Sequence, residues 1–320
     1  MEISKVAVIG AGLMGSGIAA HIANAGLPVT LLDIVPKEAT NRNIVAENAV
    51  KSMLKPVKTG SPTLLMHKDN VKLIKTGNLE DDINLINDAD LIILCAPVGS
   101  NADIMRDIQG HLKKGSIITD VGSVKKAVID QVDKYVPDGV SFIPGHPIAG
   151  TEFSGPESGF AELFYKKCCL LTPYTDTDKV HLDKVVFFWE ELGMFVDIMS
   201  PEMHDLVLAT ISHLPHLVAF NLVDTASKLE NKKNYEVTKY AAGGFLDYTR
   251  VASSDPIMWR DVFLNNKDAV IEILDSFIDG LADLKDSIKM ENGNKLESLF
   301  TETRNKRNKI LDSIKKLESE

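Results

Sequence analysis

The chain has 320 residues, 44% hydrophobic and 25% charged, the balance of an ordinary globular protein long enough for two domains. A formal net charge of −10 argues against a nucleic-acid partner, although one arginine or lysine can still reverse the field inside a cleft that receives an anion. No apolar run approaches the roughly 18 residues of a membrane span, and the N-terminus enters a strand without a basic leader. Three cysteines, Cys95, Cys168 and Cys169, lack metal-ligand spacing. The expectation is a cytoplasmic protein with no membrane partner.

Lys5 to Ile9 (KVAVI) reads as a buried strand. Gly10-Ala11-Gly12-Leu13-Met14-Gly15 follows, then a helical stretch to about Gly26 and a second apolar run, Val29 to Leu32, ending at Asp33. Strand, G-x-G-x-x-G, helix, strand and acid in that order form a dinucleotide-binding unit. Gly10 allows the tight turn, Gly12 lets backbone approach a pyrophosphate, and Gly15 lets helix and strand pack closely. Asp33 suits the ribose hydroxyls and repels a 2′-phosphate, so the expected cofactor is NAD rather than NADP. Pro36 to Asp82 is polar and helical in character.

Leu91 to Ala96 is a buried-strand pattern ending at Pro97, so Ala96 and Pro97 belong at the nicotinamide half of the cleft. Ser116 to Asp120 is a further strand, which puts Ser123 at a strand carboxyl end, where such sheets bind ligands. Val140 to Ile143 is another, followed by GHPIAGTEFSGP. His146 sits there between a glycine and a proline, in backbone that Pro147 biases towards extension. A histidine at that position has the ordinary pKa of a general base. Cys168 to Thr172 and Met194 to Met199 are two more strands around an Asp178–Leu192 helix.

Beyond Ser200-Pro201 the pattern is helical, so the expected domains are 1–199 and 200–320. His204 to Leu229 carries Ser212, His213 and His216, and Pro215 should kink it. Two histidines three apart suit a metal pair, but no third ligand stands at a convincing spacing, and no metal is expected. Ala241 to Phe245 reads as a flexible connection, followed by Arg250, and by Asp255-Pro256 as a cap before Trp259. Val270, Leu274, Phe277, Leu281, Leu284 and Ile288 form an a/d seam, either internal packing or a subunit interface. Met290 to Glu320 reads as a charged terminal helix.

Two resemblances follow from these motifs. KVAVIGAGLMGSGIAAHIANAGLPVTLLDIVP and LMHKDNVKLIKTGNLEDD resemble the NAD-binding part of 3-hydroxyacyl-CoA dehydrogenases, over roughly the first 90 residues. That family's His-Phe-Phe-Asn-Pro motif is missing. From about Leu91 to Asn266, the pieces DVGSVK, GHPIAGTEFSGP, ISHLPH and GGFLDYTR with DPIMW resemble the prephenate/arogenate dehydrogenase family. The resemblance implies a Rossmann-type α/β domain followed by an all-α domain that binds substrate, and the a/d seam motivates a homodimer built on that helical domain. It implies oxidative decarboxylation of prephenate or arogenate with NAD. His146 then matches the base, Ser123 the residue that holds the substrate hydroxyl, and Arg250 the carboxylate ligand. Ser212, His213 and His216 match the substrate helix, and Glu152 and Trp259 residues near the cleft entrance. Arogenate's ammonium would want a carboxylate partner where this helix offers His216, which favours prephenate. A hydroxyacyl-CoA dehydrogenase and a non-catalytic dinucleotide-binding protein are the rival readings.

Overall fold

The computed structural model describes residues 3–56, 62–150, 155–233 and 236–319, without the side chains at 231, 233 and 316–319. Six strands, β1 (Val6–Ile9), β2 (Val29–Asp33), β3 (Ile74–Asn78), β4 (Leu91–Leu94), β5 (Ile117–Asp120) and β6 (Ser141–Ile143), form one sheet in the order β3-β2-β1-β4-β5-β6. All five pairings are parallel. Strand order reverses between β1 and β4, which opens a crevice at their carboxyl ends, beside the glycine loop.

The strands are apolar on both faces because both faces are covered. Val6, Val8, Leu91 and Ile93 belong to one core, with α1 (Leu13–Asn24), α2 (Ile44–Met53) and α5 (Lys179–Glu191). Ala7, Ile9, Ile92 and Leu94 belong to the other, with α3 (Asn101–Ile108) and α4 (Lys126–Val132). Trp259 and Val262 of α9 (Pro256–Asn265) complete this second core, so the first part of the helical region packs directly on the sheet.

A second sheet of three strands, β7 (Gly145–Pro147), β8 (Cys168–Leu171) and β9 (Phe195–Ile198), takes the two later strands expected from the sequence. β7 runs antiparallel to β8 with His146 opposite Leu170, and β8 runs parallel to β9.

Two local expectations need correction. Pro36 to Asp82 is not wholly helical, because β3 pairs with β2 along its full length. β3 is the sheet's edge, where one side needs no apolar partner, so its Lys75, Thr76 and Asn78 disguise a strand. Ala241 to Phe245 is not only a connection, since Gly243 opens α8 (Gly243–Thr249) behind an extended Ala242.

α6 (Pro201–Leu208), a π turn over Ala209–His213 and α7 (Leu214–Lys233) form one continuous helical run. The disturbance expected at Pro215 takes the form of this π turn just before it. Pro201–Glu230 is long and apolar enough by composition to cross a membrane. Its His204, Asp205 and His213 are buried in polar contacts.

The chain divides into two compact units, Met1–Lys267 and Asp268–Glu320. The second holds most of α10 (Lys267–Lys289) and all of α11 (Gly293–Ser319), the terminal helix expected from the sequence. Along the seam of α10, Val270 is buried and Leu274, Phe277 and Leu284 are half-buried, whereas Leu281 and Ile288 are 49% and 64% exposed.

Candidate active site

The glycine loop sits between β1 and α1. Gly10 has φ +105°, and a Cβ there would lie 2.7 Å from the Cys95 backbone. A Cβ at Gly15 would lie 1.8 Å from the Gly10 carbonyl oxygen, so neither position accepts a larger residue without backbone movement. Gly12 differs, because a Cβ there would meet nothing, and the open space faces the N-terminus of α1. That helix has no side-chain cap and no acid in its first turn, which contains Leu13 and Met14. Its free N–H groups suit a phosphate. Asp33 ends β2, where its carboxylate accepts the Ala11 N–H at 2.5 Å and the Ile34 N–H at 2.6 Å. Ala96 and the exposed Pro97 follow β4 across the crevice. The residues fit a dinucleotide: an open backbone cradle, a helix N-terminus and an acid at the second strand's end.

The other half of the site begins at β5. Asp120 ends that strand and accepts the Gly145 N–H at 3.1 Å and the Gly122 N–H at 2.8 Å. Lys125 is fully buried and donates to Asp120 at 2.5 Å and to the Gly145 carbonyl at 2.6 Å. Burial holds the Lys125 ammonium below its ordinary range, with Asp120 pulling against that shift. This clamp joins the turn that carries half-buried Ser123 to the strand that carries His146.

His146 is buried on β7, and its Nδ1 lies 2.9 Å from Nε2 of His204. Nδ1 of His204 in turn lies 2.8 Å from Oδ1 of Asp205. Ser200 caps α6 through the Met203 N–H, and Pro201 starts the helix, which places His204 and Asp205 in its second turn. Asp205 also accepts the backbone N–H groups of Lys125 and Lys126, at 2.8 and 3.0 Å. Burial, then the neighbouring charges of His204, Lys125 and His213, hold His146 well below the usual histidine range. Burial lowers His204 too, against the pull of Asp205. Burial also opposes ionisation of Asp205, but the hydrogen bonds from His204, Lys125 and Lys126 outweigh it, and the carboxyl lies below its ordinary range.

His213 ends the π turn and is buried, and burial pushes it down to about 4. Its Nδ1 faces Nδ2 of Asn266 at 3.1 Å, while its Nε2 is buried and has no partner among the described residues. The Nε1 of Trp259 is in the same condition. His216 stacks on Trp259 with ring centroids 3.6 Å apart and donates from Nδ1 to the Ser212 carbonyl at 2.9 Å. Burial lowers His216, the Ser212 carbonyl pulls it back, and the positive charge of Arg250 lowers it further. Arg250 is exposed, in the 3-10 turn Arg250–Ser253. Glu152 lies outside the described residues.

His146, His213, His216 and Trp259 are therefore joined by rings and hydrogen bonds through His204, Asp205 and Asn266, with Ser123 tied in through the clamp. Sequence reading missed His204, Asp205, Lys125, Asp120 and Asn266. The signal available was a His-Asp pair on an otherwise apolar helix, directly behind a Ser-Pro cap.

Residues 66–197 match the family model described as prephenate dehydrogenase, nucleotide-binding domain, and residues 200–302 that described as prephenate dehydrogenase, dimerization domain. The cyclohexadienyl dehydrogenase of Zymomonas mobilis is 39% identical over 242 residues, 75% of this chain and 82% of that protein. The crystal structure of prephenate dehydrogenase from A. aeolicus, in complex with hydroxyphenyl propionate and NAD+, is 32% identical. It matches with a TM-score of 0.80 over 97% of this chain and 99% of that one. A probable 3-hydroxyacyl-CoA dehydrogenase of Deinococcus radiodurans is 40% identical over 121 residues, 37% of this chain and 34% of that protein. With the nucleotide-binding fold, the open glycine cradle and these likenesses together, the chain belongs to the prephenate/cyclohexadienyl dehydrogenase family of NAD-binding oxidoreductases.

Proposed function

We propose that this protein is a cytoplasmic enzyme that converts prephenate to 4-hydroxyphenylpyruvate by oxidative decarboxylation, a step of tyrosine biosynthesis. The observation that carries the reading is the buried His146, neutral by its surroundings and held at Nδ1 by His204, which leaves Nε2 to take a proton. Bound NAD supplies the hydride acceptor. His146 takes the proton of the ring hydroxyl, and Ser123 holds that hydroxyl by a hydrogen bond. Loss of the ring carboxylate as carbon dioxide leaves an aromatic ring. Arg250 offers a planar fork for a substrate carboxylate. The partnerless nitrogens of His213 and Trp259 offer further polar contacts, and Ser212 and His216 line the same helix.

Prephenate is preferred to arogenate because His213, His216 and Trp259 are neutral groups, where an ammonium would want a carboxylate. Dual specificity is the second reading, favoured by the likeness to a cyclohexadienyl dehydrogenase. Steady-state rates of NADH formation with prephenate and arogenate, each with NAD and NADP, test both. Prephenate with NAD should give the highest kcat/KM, and a higher value with arogenate or with NADP contradicts this reading.

The working unit is a homodimer through the helical region, supported by the dimerization-domain match and by the exposed Leu281 and Ile288 on α10. Analytical ultracentrifugation at micromolar concentration should find a dimer, and a monomer would contradict it.

A further inference from the structure

Two histidines of the site serve opposite purposes if the proposed function holds. His146 must present a lone pair at Nε2, and His213 a hydrogen. An imidazole has one of each when neutral, so which nitrogen carries the hydrogen decides whether either ring works. Both rings lead back to a single residue.

On one side, the Asp205 carboxylate only accepts. Nδ1 of His204, 2.8 Å away, must therefore donate to it. Neutral His204 then has its lone pair at Nε2, which faces Nδ1 of His146 at 2.9 Å. His146 must donate there, and its own lone pair falls on Nε2. On the other side, the Asp205 carbonyl also only accepts, and Nδ2 of Asn266 donates to it at 2.8 Å. This fixes the orientation of the amide, so the same NH2 group faces Nδ1 of His213 at 3.1 Å. His213 must accept there, and its hydrogen falls on Nε2, the buried atom with no partner among the described residues.

We propose that Asp205 is the positioning residue of this site: its carboxylate, through His204, makes His146 an acceptor at Nε2, and its carbonyl, through Asn266, makes His213 a donor at Nε2. Asp205 is itself immobilised by the backbone N–H groups of Lys125 and Lys126, so its orientation does not depend on a ligand. Substrate then meets an acceptor and a donor set before it arrives. The role assigned to each ring rests on the proposed reaction, whereas the hydrogen positions do not.

Asp205→Leu removes the carboxylate. Nothing then holds Nδ1 of His204 as a donor, and the His204–His146 pair is free to reverse its hydrogens. Asp205→Asn is the milder change, because its amide can turn the NH2 to the Lys126 N–H and keep its oxygen on His204 and the Lys125 N–H. The backbone carbonyl is untouched, so the His213 arm is an internal control.

The test is nitrogen-15 NMR of the imidazoles in full-length, NAD-free protein at pH 7.5, with the eight histidines assigned by single substitution. Wild type should show His146 protonated at Nδ1 and His213 protonated at Nε2. Asp205→Leu should release His146 from its single Nδ1-protonated form and leave His213 unchanged, and Asn266→Leu should release His213 alone. His204→Gln keeps one acceptor and one donor and should preserve the His146 form, while His204→Leu should lose it. With prephenate, Asp205→Leu should lower kcat roughly 10-fold or more, as for a base no longer held in the right tautomer, with the KM for NAD nearly unchanged. A wild-type His146 protonated at Nε2 overturns the proposal without any variant, and a His146 form unchanged in both Asp205→Leu and His204→Leu overturns it too. If wild type does not oxidise prephenate, the proposed function fails, while the NMR result still decides the role of Asp205.

Discussion

The two halves of the candidate site are built differently. Around His146, Asp120 holds Lys125, and Asp205 holds His204 and two backbone N–H groups. Around His213 and Trp259, two buried ring nitrogens have no partner among the described residues, and Arg250 is exposed. Leaving one such buried group unpaired costs about 1–3 kcal/mol. On the proposed function, the half that moves a proton is finished before substrate arrives, and the half that recognises substrate is completed by it. That division suits catalysis, because a preorganised base needs no rearrangement at the moment of reaction, whereas binding energy belongs where the ligand supplies the missing partners.

The comparison breaks most visibly at the base. His146→Asn keeps a polar group but cannot take the proton at Nε2, and kcat should fall by roughly 10²–10⁴-fold. The KM for NAD should hardly change, since Gly10 to Gly15 and Asp33 lie across the crevice. A near wild-type kcat would remove His146 from the chemistry.

On the recognition side the expected loss is smaller and falls elsewhere. Arg250 is exposed in the ligand-free chain, so its removal leaves no buried charge stranded. Losing the hydrogen bonds to a substrate carboxylate costs about 1.5–3 kcal/mol. Arg250→Ala should therefore raise the KM for prephenate roughly 10- to 100-fold with kcat little changed, and Arg250→Lys should recover part of it. An unchanged KM would place the arginine outside the site, and an equal loss in kcat would place it in the finished half.

The same division explains what could be read from the sequence. The nucleotide-binding half announces itself locally, because Gly10, Gly12, Gly15 and Asp33 have fixed spacing and each answers a backbone or ligand requirement. His146 and His213 were legible as polar residues in unusual settings, a Gly-Pro bracket and a proline-interrupted helix. The residues that orient them were not. His204 meets His146 across 58 positions, and Asn266 meets His213 across 53, so no local pattern connects them. Lys125 is a charged residue just after a strand, yet it is fully buried against Asp120. β3 and α8 were missed for a related reason, since an edge position and a glycine pair weaken the local signal of elements that tertiary pairing supports.

The most direct test of a base prepared in advance is the pH dependence of kcat/KM for prephenate, which reports groups of the free enzyme. Sequence alone suggested an acid limb in the ordinary histidine range. The structure moves it, because the buried His146 lies well below 6.5, and a base with a lowered pKa remains unprotonated as pH falls past that value. His204, His213 and His216 shift in the same direction. The account predicts kcat/KM that is level from neutral pH down through 6.5 and declines only below it, with that limb absent from the residual activity of His146→Asn. A wild-type decline centred at or above 6.5, or one that survives in His146→Asn, would contradict it.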